Sequence, residues 1–398
     1  METNIDKQKI EDIFNRGIVA EVIPSKKELF DYLLAGKRLR VYIGADPTSS
    51  ALHLSHAKNY MFLEDLRRLG HEVIVLFGDF TAQIGDPTAK NNARPQLSQE
   101  QVGENVKGWV EQIKPLMDFN DKVNPPKILY NNDWLSKLSF RDVVFLASNF
   151  TVQQMMERDM FEKRLENNTP IYLHEFLYPL MQGYDSVAMD VDAELCGTDQ
   201  IFNALAGRTL LKRIKNKDKF VIALNLMENP ETGELMSKSR GTGVFLSLPA
   251  NDMYGAVMAQ PDEMIRIFLV NNTRVPLPEI DGIMALGPRL SKARAAFEIT
   301  KIFYGGQKAK EAEGQFNKTF SDGGIPDDVL EIKMVSGQSL ARLLIDAGLV
   351  ASKTEWYRLV GAGAVRDNDG KKITNKDFIP QTTTILKIGK RRFVKVVV

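Results

Sequence analysis

The chain has one cysteine in 398 residues, Cys196, so no intramolecular disulfide can form and a reducing, cytoplasmic setting is expected. Histidine is almost as scarce, with four in all. His71 and His174 stand at no spacing that completes a metal set with His53 and His56, so no protein-bound metal is expected. No apolar run approaches the roughly 18 residues that a membrane span needs. The opening METNIDKQKIEDIF is charged and amphipathic and lacks the apolar stretch of a secretory signal. Internal repeats and low-complexity tracts are absent, and neither a membrane nor DNA is expected as a partner.

An excess of charge of one sign is lacking too, the formal net being +1. That balance hides an asymmetry. From residue 333 onward there are 13 Lys/Arg against 5 Asp/Glu, a net of +8, which leaves −7 for the rest. A basic module on a mildly acidic body predicts a polyanionic partner at the C-terminal end. The 43% hydrophobic and 26% charged contents are those of a globular protein. The length predicts two or three domains.

Residues 6–35 read as helices leading to a first strand at 39–43. A helix is predicted over about 54–69, ended by Gly70. The run EVIVLF at 72–77 is β-branched and apolar, as in a buried strand. Strand, helix and strand at this spacing predict a βαβ unit, hence an α/β fold with a doubly wound parallel, Rossmann-like sheet. Residues 98–165 read as a mainly helical insertion, with Met155, Met156 and Met160 on an apolar face suited first to core packing and second to a subunit interface. LCGTDQ at 195–200 follows a short strand and opens a helix, and 248–317 read as helical. The Gly/Pro/acid-rich 321–333 suits a linker. The expected domains are therefore 1–245, 246–320 and 334–398. In the last, two short amphipathic helices lead to a Gly turn, a DNDG hairpin turn and terminal strands.

Three clusters carry chemistry. Residues 42–56 read YIGADPTSSALHLSH, an apolar strand running into a Gly/Asp/Pro/Thr/Ser loop and a helix start with His53 and His56 three apart. Helix N-termini offer unpaired N–H groups and a positive dipole end, and histidines at i and i+3 share a face, so both reach one polyphosphate. A second loop, ETGELMSKSRGTG at 231–243, sets Lys238 and Arg240 among Ser and Gly, a composition suited to closing on phosphate charge. Third, YPLMQGYD at 178–185 puts Tyr178, Gln182 and Asp185 at i, i+4 and i+7 of one helix face. A face of phenol, amide and carboxylate suits a small polar ligand, and Asp86 in IGDP and Gln200 in GTDQ add to it.

With these motifs the sequence resembles the bacterial-type tyrosyl-tRNA synthetases, which are class I aminoacyl-tRNA synthetases, over essentially the whole chain. HLSH resembles the family's HIGH signature and LMSKS its KMSKS signature, in the family's order around the tyrosine helix and GTDQ. The resemblance implies a homodimeric ligase that joins L-tyrosine to tRNA(Tyr) with ATP and its Mg2+. It implies that Tyr42 and Asp185 bond the substrate phenol, that Tyr178, Gln182 and Asp86 hold the α-amino group, and that Gln200 lies near the bound tyrosine. Gly44, Asp46, Gly197 and Asp199 match positions lining the ATP and adenylate site, joined by Met236, Ser237, Ser239 and Arg240 of the signature loop. Thr48, His53, His56 and Lys238 match the catalytic group around the phosphates. Residues 334–398 resemble a small αL-motif RNA-binding module, with Ser352, Lys353, Arg358 and Lys371 as contacts, and in this family the helical domain before it shares in gripping the tRNA. A small-molecule adenylyltransferase also uses an HxGH helix start but is much shorter and lacks the basic module. A synthetase for tryptophan has no use for the Tyr42/Asp185 pair. An RNA-binding protein that kept the fold without catalysis is the remaining alternative.

Two positions depart from the family pattern. Ser55 replaces the glycine of HIGH, and Leu235 stands where KMSKS has its first lysine. One pyrophosphate-facing cation is thereby missing. Leu235→Lys is expected to speed adenylate formation with little change in tyrosine affinity; single-turnover rates at saturating tyrosine test this, and an unchanged rate refutes it.

Overall fold

Parallel pairing of apolar strands builds the first part of the molecule. The computed structural model describes residues 2–86, 97–157, 159–236, 243–320, 329–334, 339–367, 370–380, 382–389 and 392–397. It divides into two compact units, Met1–Lys310 and Glu311–Val398.

In the first unit, α1 (Lys7–Phe14), β1 (Val19–Ile23) and α2 (Lys26–Leu34) precede β2 (Arg40–Ala45). Then come α3 (Leu54–Arg68), β3 (Glu72–Phe77), α4 (Gln99–Ile113) and β4 (Lys127–Tyr130). The short helices α5 (Asn132–Leu135), α6 (Phe140–Ala147), α7 (Val152–Met156) and α8 (Asp159–Glu166) lead to α9 (Tyr178–Met189). β5 (Ala193–Gly197), α10 (Ile201–Lys215) and β6 (Phe220–Leu224) complete the sheet. Its order is β1-β6-β5-β2-β3-β4, parallel except for β1, which runs antiparallel to β6. β2, β3 and β4 spread to one side, and β5 and β6 lie on the other. The order switches between β2 and β5, and in such sheets ligands bind outside the strand ends at that point.

Local chemistry sets several helix starts. Ser98, Ser139 and Thr151 each accept an N–H three residues on and receive a side chain in return, forming capping boxes for α4, α6 and α7. Gly70 follows α3 at φ +94°, a conformation that other residues rarely adopt. α9 and α10 cross closely at two glycines: a Cβ on Gly183 would lie 3.1 Å from the backbone N of Gly207. After the sheet come α11 (Ala250–Met258), α12 (Ile265–Asn272), α13 (Leu277–Met284) and α14 (Pro288–Phe320), the last interrupted by Gly305 at φ +83°.

The second unit carries β7 (Leu330–Lys333), α15 (Leu340–Asp346), α16 (Lys353–Gly361), β8 (Val365–Arg366), β9 (Thr384–Ile388) and β10 (Arg392–Val397). These strands form a sheet of order β7-β10-β9-β8 around a core holding Trp356, Leu344, Val394 and Val396.

Three sequence expectations are corrected. Residues 6–35 are not helical throughout, because Val19, Val22 and Ile23 are drawn into β1 by pairing with β6. The end of the expected linker, 330–333, is strand β7, paired parallel with β10. Most of the expected helical domain at 246–320 groups with the sheet in the first unit.

His71 joins the starts of β2 and β3. It is 1% exposed, its Nδ1 accepts the Leu39 N–H at 3.3 Å, and its Nε2 has no partner. Burial, with Arg38 nearby, lowers its pKa to about 4. Burial depresses His53 to about 4 and His56 to about 3. An unfolded imidazole takes its proton near pH 6.5, so between there and pH 4 the unfolded state binds more protons. Stability should be full above about pH 6.5 and fall as pH drops through that window. Urea midpoints measured from pH 7 to pH 4.5 should decline, and His71→Gln, which keeps an acceptor without the titration, should flatten part of that slope.

Candidate active site

At the strand-order switch β2 and β5 lie side by side and lead on to α3 and α10. The loop from β2 to α3 is held by side chains of α4. Asn105 Nδ2 donates to the Pro47 carbonyl at 2.8 Å, Trp109 Nε1 to Ser49 at 2.6 Å, and Gln112 Nε2 to Ser50 at 3.0 Å. Gln112 Oε1 accepts the Leu52 N–H at 2.8 Å. Within the loop, the Thr48 N–H donates to the Asp46 carbonyl at 2.7 Å. This bracing was not legible in the sequence, since α4 begins more than forty residues downstream.

His53 is the N-cap of α3, with extended backbone at φ −130° and ψ 173°. His56 Nδ1 accepts the His53 N–H at 3.2 Å, so the neutral ring carries its proton on Nε2. The two rings lie 4.0 Å apart, and His53 Nδ1 is buried without a partner. With both pKa values depressed by burial, to about 4 and about 3, these histidines are neutral near pH 7. They offer an anion N–H donors and a helix start rather than positive charge. Among the described residues a cation, Lys58 on α3, lies near enough to His56 to act on it electrostatically, and sequence reasoning missed it. It is 2% exposed, donates to Asn59 Oδ1 at 2.9 Å, and is lowered to about 8 by burial against the opposing pull of Asp199. Ser55 is half-buried in the first turn of the same helix.

The stems of the signature loop meet the histidine helix. The Leu54 N–H donates to Val244 at 3.0 Å and the Leu246 N–H to Leu52 at 2.9 Å. On the other side Met236 is buried, its N–H donating to Met227 at 3.2 Å, and Leu235 is 37% exposed. Ser237, Lys238, Ser239 and Arg240 lie outside the described residues.

Tyr178, Gln182 and Asp185 all lie on α9, as their spacing predicts. The Tyr178 hydroxyl donates to Asp46 Oδ2 at 2.8 Å. Asp46 Oδ1 accepts from Thr81 Oγ1 at 2.7 Å, and a Cβ on Gly78 would collide with both groups. Gln182 Nε2 donates to Glu194 Oε1 at 2.9 Å, and Gln182 Oε1 accepts from Asn203 Nδ2 at 3.0 Å. Asn203 also donates to Gln200 Oε1 at 2.9 Å, and Gln200 Nε2 donates to Asp86 Oδ2 at 2.7 Å. Asp185 is 3% exposed and accepts from Trp134 Nε1 at 2.7 Å and Asn131 Nδ2 at 3.3 Å. Burial pushes its carboxyl well above the usual range, with Glu194 and Asp46 adding to the push and the two N–H donors opposing it. Tyr42 is fully buried, and its hydroxyl lies 3.0 Å from Ser186 Oγ. Burial and the charges of Glu194 and Asp185 raise its pKa well above that of a free phenol. Tyr178 is raised likewise by burial and by Asp46, Asp86 and Asp185. These side chains thus share one electrostatic environment. Gly44 is exposed near the end of β2, and Gly197 ends β5 where a Cβ would collide with Asp199 Oδ1. Asn131, Trp134, Ser186, Glu194 and Lys219 carried no local motif. Trp134, as a large side chain with a polar tip in a helical insertion, was the most visible of them.

In the second unit, the Ser352 hydroxyl is taken up as the N-cap of α16, accepting the Glu355 N–H at 3.1 Å. Lys353 and Arg358 are exposed on α16 but five residues apart, about 140° around its axis, so they face different directions. Lys353 and Lys376 each reach the Tyr357 ring, at 5.5 and 5.3 Å. Lys371 is exposed, and its N–H is held by Asp367 Oδ1 at 2.9 Å. In the insertion, Met155 is buried, while Phe140, Val144, Phe145 and Val152 are between 52% and 84% exposed. Among the described residues no three His, Cys, Asp or Glu side chains gather as a metal set, and no helix is long and apolar enough to cross a membrane.

The family model for tRNA synthetases class I (W and Y) matches residues 34–321. The tyrosine--tRNA ligase of Carboxydothermus hydrogenoformans is 41% identical over 97% of each chain, and that of Thermotoga maritima 37% identical over 96% of each. Among solved structures, the C-terminally truncated mitochondrial tyrosyl-tRNA synthetase of Aspergillus nidulans aligns with a TM-score of 0.66 at 21% identity, covering 78% of this chain and 94% of that one. The tyrosyl-tRNA synthetase of Archaeoglobus fulgidus, solved with L-tyrosine, aligns with a TM-score of 0.58 at 19% identity, covering 77% and 100%. The two structures share the fold, and the nearly full-length likeness to the two ligases goes further: this chain belongs to the tyrosyl-tRNA synthetases within class I.

Proposed function

We propose that this chain joins L-tyrosine to ATP, giving tyrosyl-adenylate and pyrophosphate, and then passes the tyrosyl group to the terminal ribose of tRNA(Tyr). The observation that carries this reading is the polarity of the pocket. The Tyr178 proton goes to Asp46 and the Gln182 N–H to Glu194, while Asp86 Oδ2 accepts from Gln200. These three therefore present acceptor oxygens, which suits an α-ammonium group. Tyr42 and Asp185 lie deeper and await a hydroxyl. Phenylalanine would leave that buried pair without its partner, at a cost of about 1–3 kcal/mol for each orphaned group.

Activation needs no protein nucleophile. The tyrosine carboxylate attacks the α-phosphate, and pyrophosphate leaves. The protein contributes position and charge stabilisation. Gly44, Asp46, Gly197 and Asp199 line the adenosine side, with Met236, Ser237, Ser239 and Arg240 from the signature segment, and Gln200 stands beside the amino acid. Thr48, His53, His56 and Lys238 act at the phosphates, and Mg2+ arrives with the nucleotide. The basic module, 334–398, contacts the tRNA backbone through Lys353, Arg358 and Lys371, the first two from different sides of α16, and the helices before it share in the grip, so tRNA affinity should fall as salt rises. A second copy of the chain covers Phe140, Val144, Phe145 and Val152, making a homodimer.

Amino-acid-dependent ATP–pyrophosphate exchange, run without tRNA, tests the first step. Exchange is expected with tyrosine and not with phenylalanine or tryptophan. Removing a preorganised donor of this kind costs about 2.7–4 kcal/mol, so His53→Ala and Lys238→Ala should each slow exchange by about 100- to 1,000-fold. No exchange with any of the three amino acids would overturn the proposal.

A further inference from the structure

Behind the tyrosine pocket lies a buried ion pair that the two-step reaction does not employ. Lys219, just before β6, and Glu194, on β5, are 2% and 1% exposed. The Lys219 ammonium is paired with Glu194 Oε2 and donates to Ser186 Oγ at 2.7 Å. It stands 5.7 Å from the centre of the Tyr42 ring. Space for it exists because position 207 on α10 is glycine: a Cβ there would lie 2.7 Å from Lys219 Nζ and 2.8 Å from Ser186 Oγ.

A pair of this kind adds little net stability, since removing two charges from water offsets most of their attraction. What it supplies here is direction. Ser186 Oγ has one proton to give and receives one from Lys219. Either hydroxyl can donate in the Tyr42–Ser186 contact at 3.0 Å, and Glu194 is within reach of both; its Oε2 is already held by Lys219 and its Oε1 by Gln182, and Oε2 is 3.5 Å from Ser186, which favours Ser186 donating to Tyr42. The Tyr42 proton is then turned outward. The other carboxylate oxygen of Glu194 holds Gln182 Nε2 at 2.9 Å, which fixes the sense of the amide, so that its oxygen accepts from Asn203 and keeps a second lone pair for a cation.

We propose that Lys219, Glu194 and Ser186 are positioning residues that set the sense of a hydrogen-bond relay, Lys219 to Ser186 to Tyr42 to the ligand phenol to Asp185. This rests on the tyrosine reading of the pocket. Each group donates to the next, from a fixed cation at one end to a carboxylate at the other, and such chains strengthen their members. A phenol satisfies both open ends at once, because it accepts from Tyr42 and donates to Asp185. A ligand lacking the hydroxyl breaks the relay at its last link.

The test compares Ser186→Ala and the double variant Glu194→Gln/Lys219→Met with the unaltered chain. The double variant removes both charges together, so neither is left buried alone. Binding of tyrosine and phenylalanine is followed by calorimetry, and KM and kcat by pyrophosphate exchange. Both variants are expected to raise the tyrosine Kd and KM about tenfold or more. They should narrow the tyrosine-to-phenylalanine ratio by a similar factor, with KM for ATP and kcat at saturating tyrosine within about twofold. A folded Ser186→Ala with unchanged tyrosine affinity and discrimination overturns the relay, as does an equal loss across tyrosine, ATP and kcat. The double variant, if folded, must agree. Tyrosine binding without exchange in the unaltered chain would sink the proposed activity and leave the relay standing.

Discussion

The parallel pairing of β2 with β5 is the constraint on which the site depends. The register sets Val41 against Ala193, Tyr42 against Glu194 and Ile43 against Leu195. Because side chains alternate along a strand, this register puts the Tyr42 phenol and the Glu194 carboxylate on one face of the sheet. A slip of one residue would turn Tyr42 away from α9 and dissolve the pocket. The same pairing is where strand order reverses, so both strands end with no crossover covering them. Asp46, just past one strand, and Gly197, at the end of the other, gain their places from that opening.

The site combines two electrostatic regimes. On the amino-acid side, carboxylates and phenols are buried against one another, and burial with mutual repulsion raises Tyr42, Tyr178 and Asp185 together. Such a cluster is costly when empty and favours a ligand that brings a cation and a hydroxyl. At the start of α3, burial keeps His53 and His56 neutral, so under the proposed activity phosphate would meet oriented N–H groups, with the ammonium of Lys58 near His56. Positioned dipoles need little rearrangement as charge shifts during a reaction, so a neutral histidine can still stabilise developing charge.

How much of this was legible in the sequence follows from the range of each signal. Local signals exposed α3 through its helix start and Gly70, β3 through its β-branched apolar run, and the Tyr178, Gln182 and Asp185 face of α9 through the 3.6-residue helical repeat. Composition exposed the basic character of 334–398. β1 was hidden, since its strand state comes from pairing with β6 rather than from its own pattern. Trp134 and Asn131, which hold Asp185, come from a helical insertion about fifty residues upstream. Glu194 sits on β5 and Lys219 just before β6, and only the β5–β6 pairing brings the two together. A lysine next to a strand looks like a solvated charge until a glycine on a neighbouring helix is seen to make room for it.

The edge strand β1 carries a consequence for how the chain is made. Val19 is paired with Leu224, about two hundred residues later. At a translation rate of about 5–20 residues per second, roughly 10–40 s pass between synthesis of the first partner and arrival of the second. During that time VAEVI has no partner strand from its own sheet, while β2 and β3 each have one neighbour in the strand that follows. Glu21 in its middle and the charged helices α1 and α2 on either side act as gatekeepers that discourage strand addition by other nascent chains. Pairing of β1 with β6 can therefore begin only once β6 has been made, and synthesis rather than the sheet sets its earliest moment.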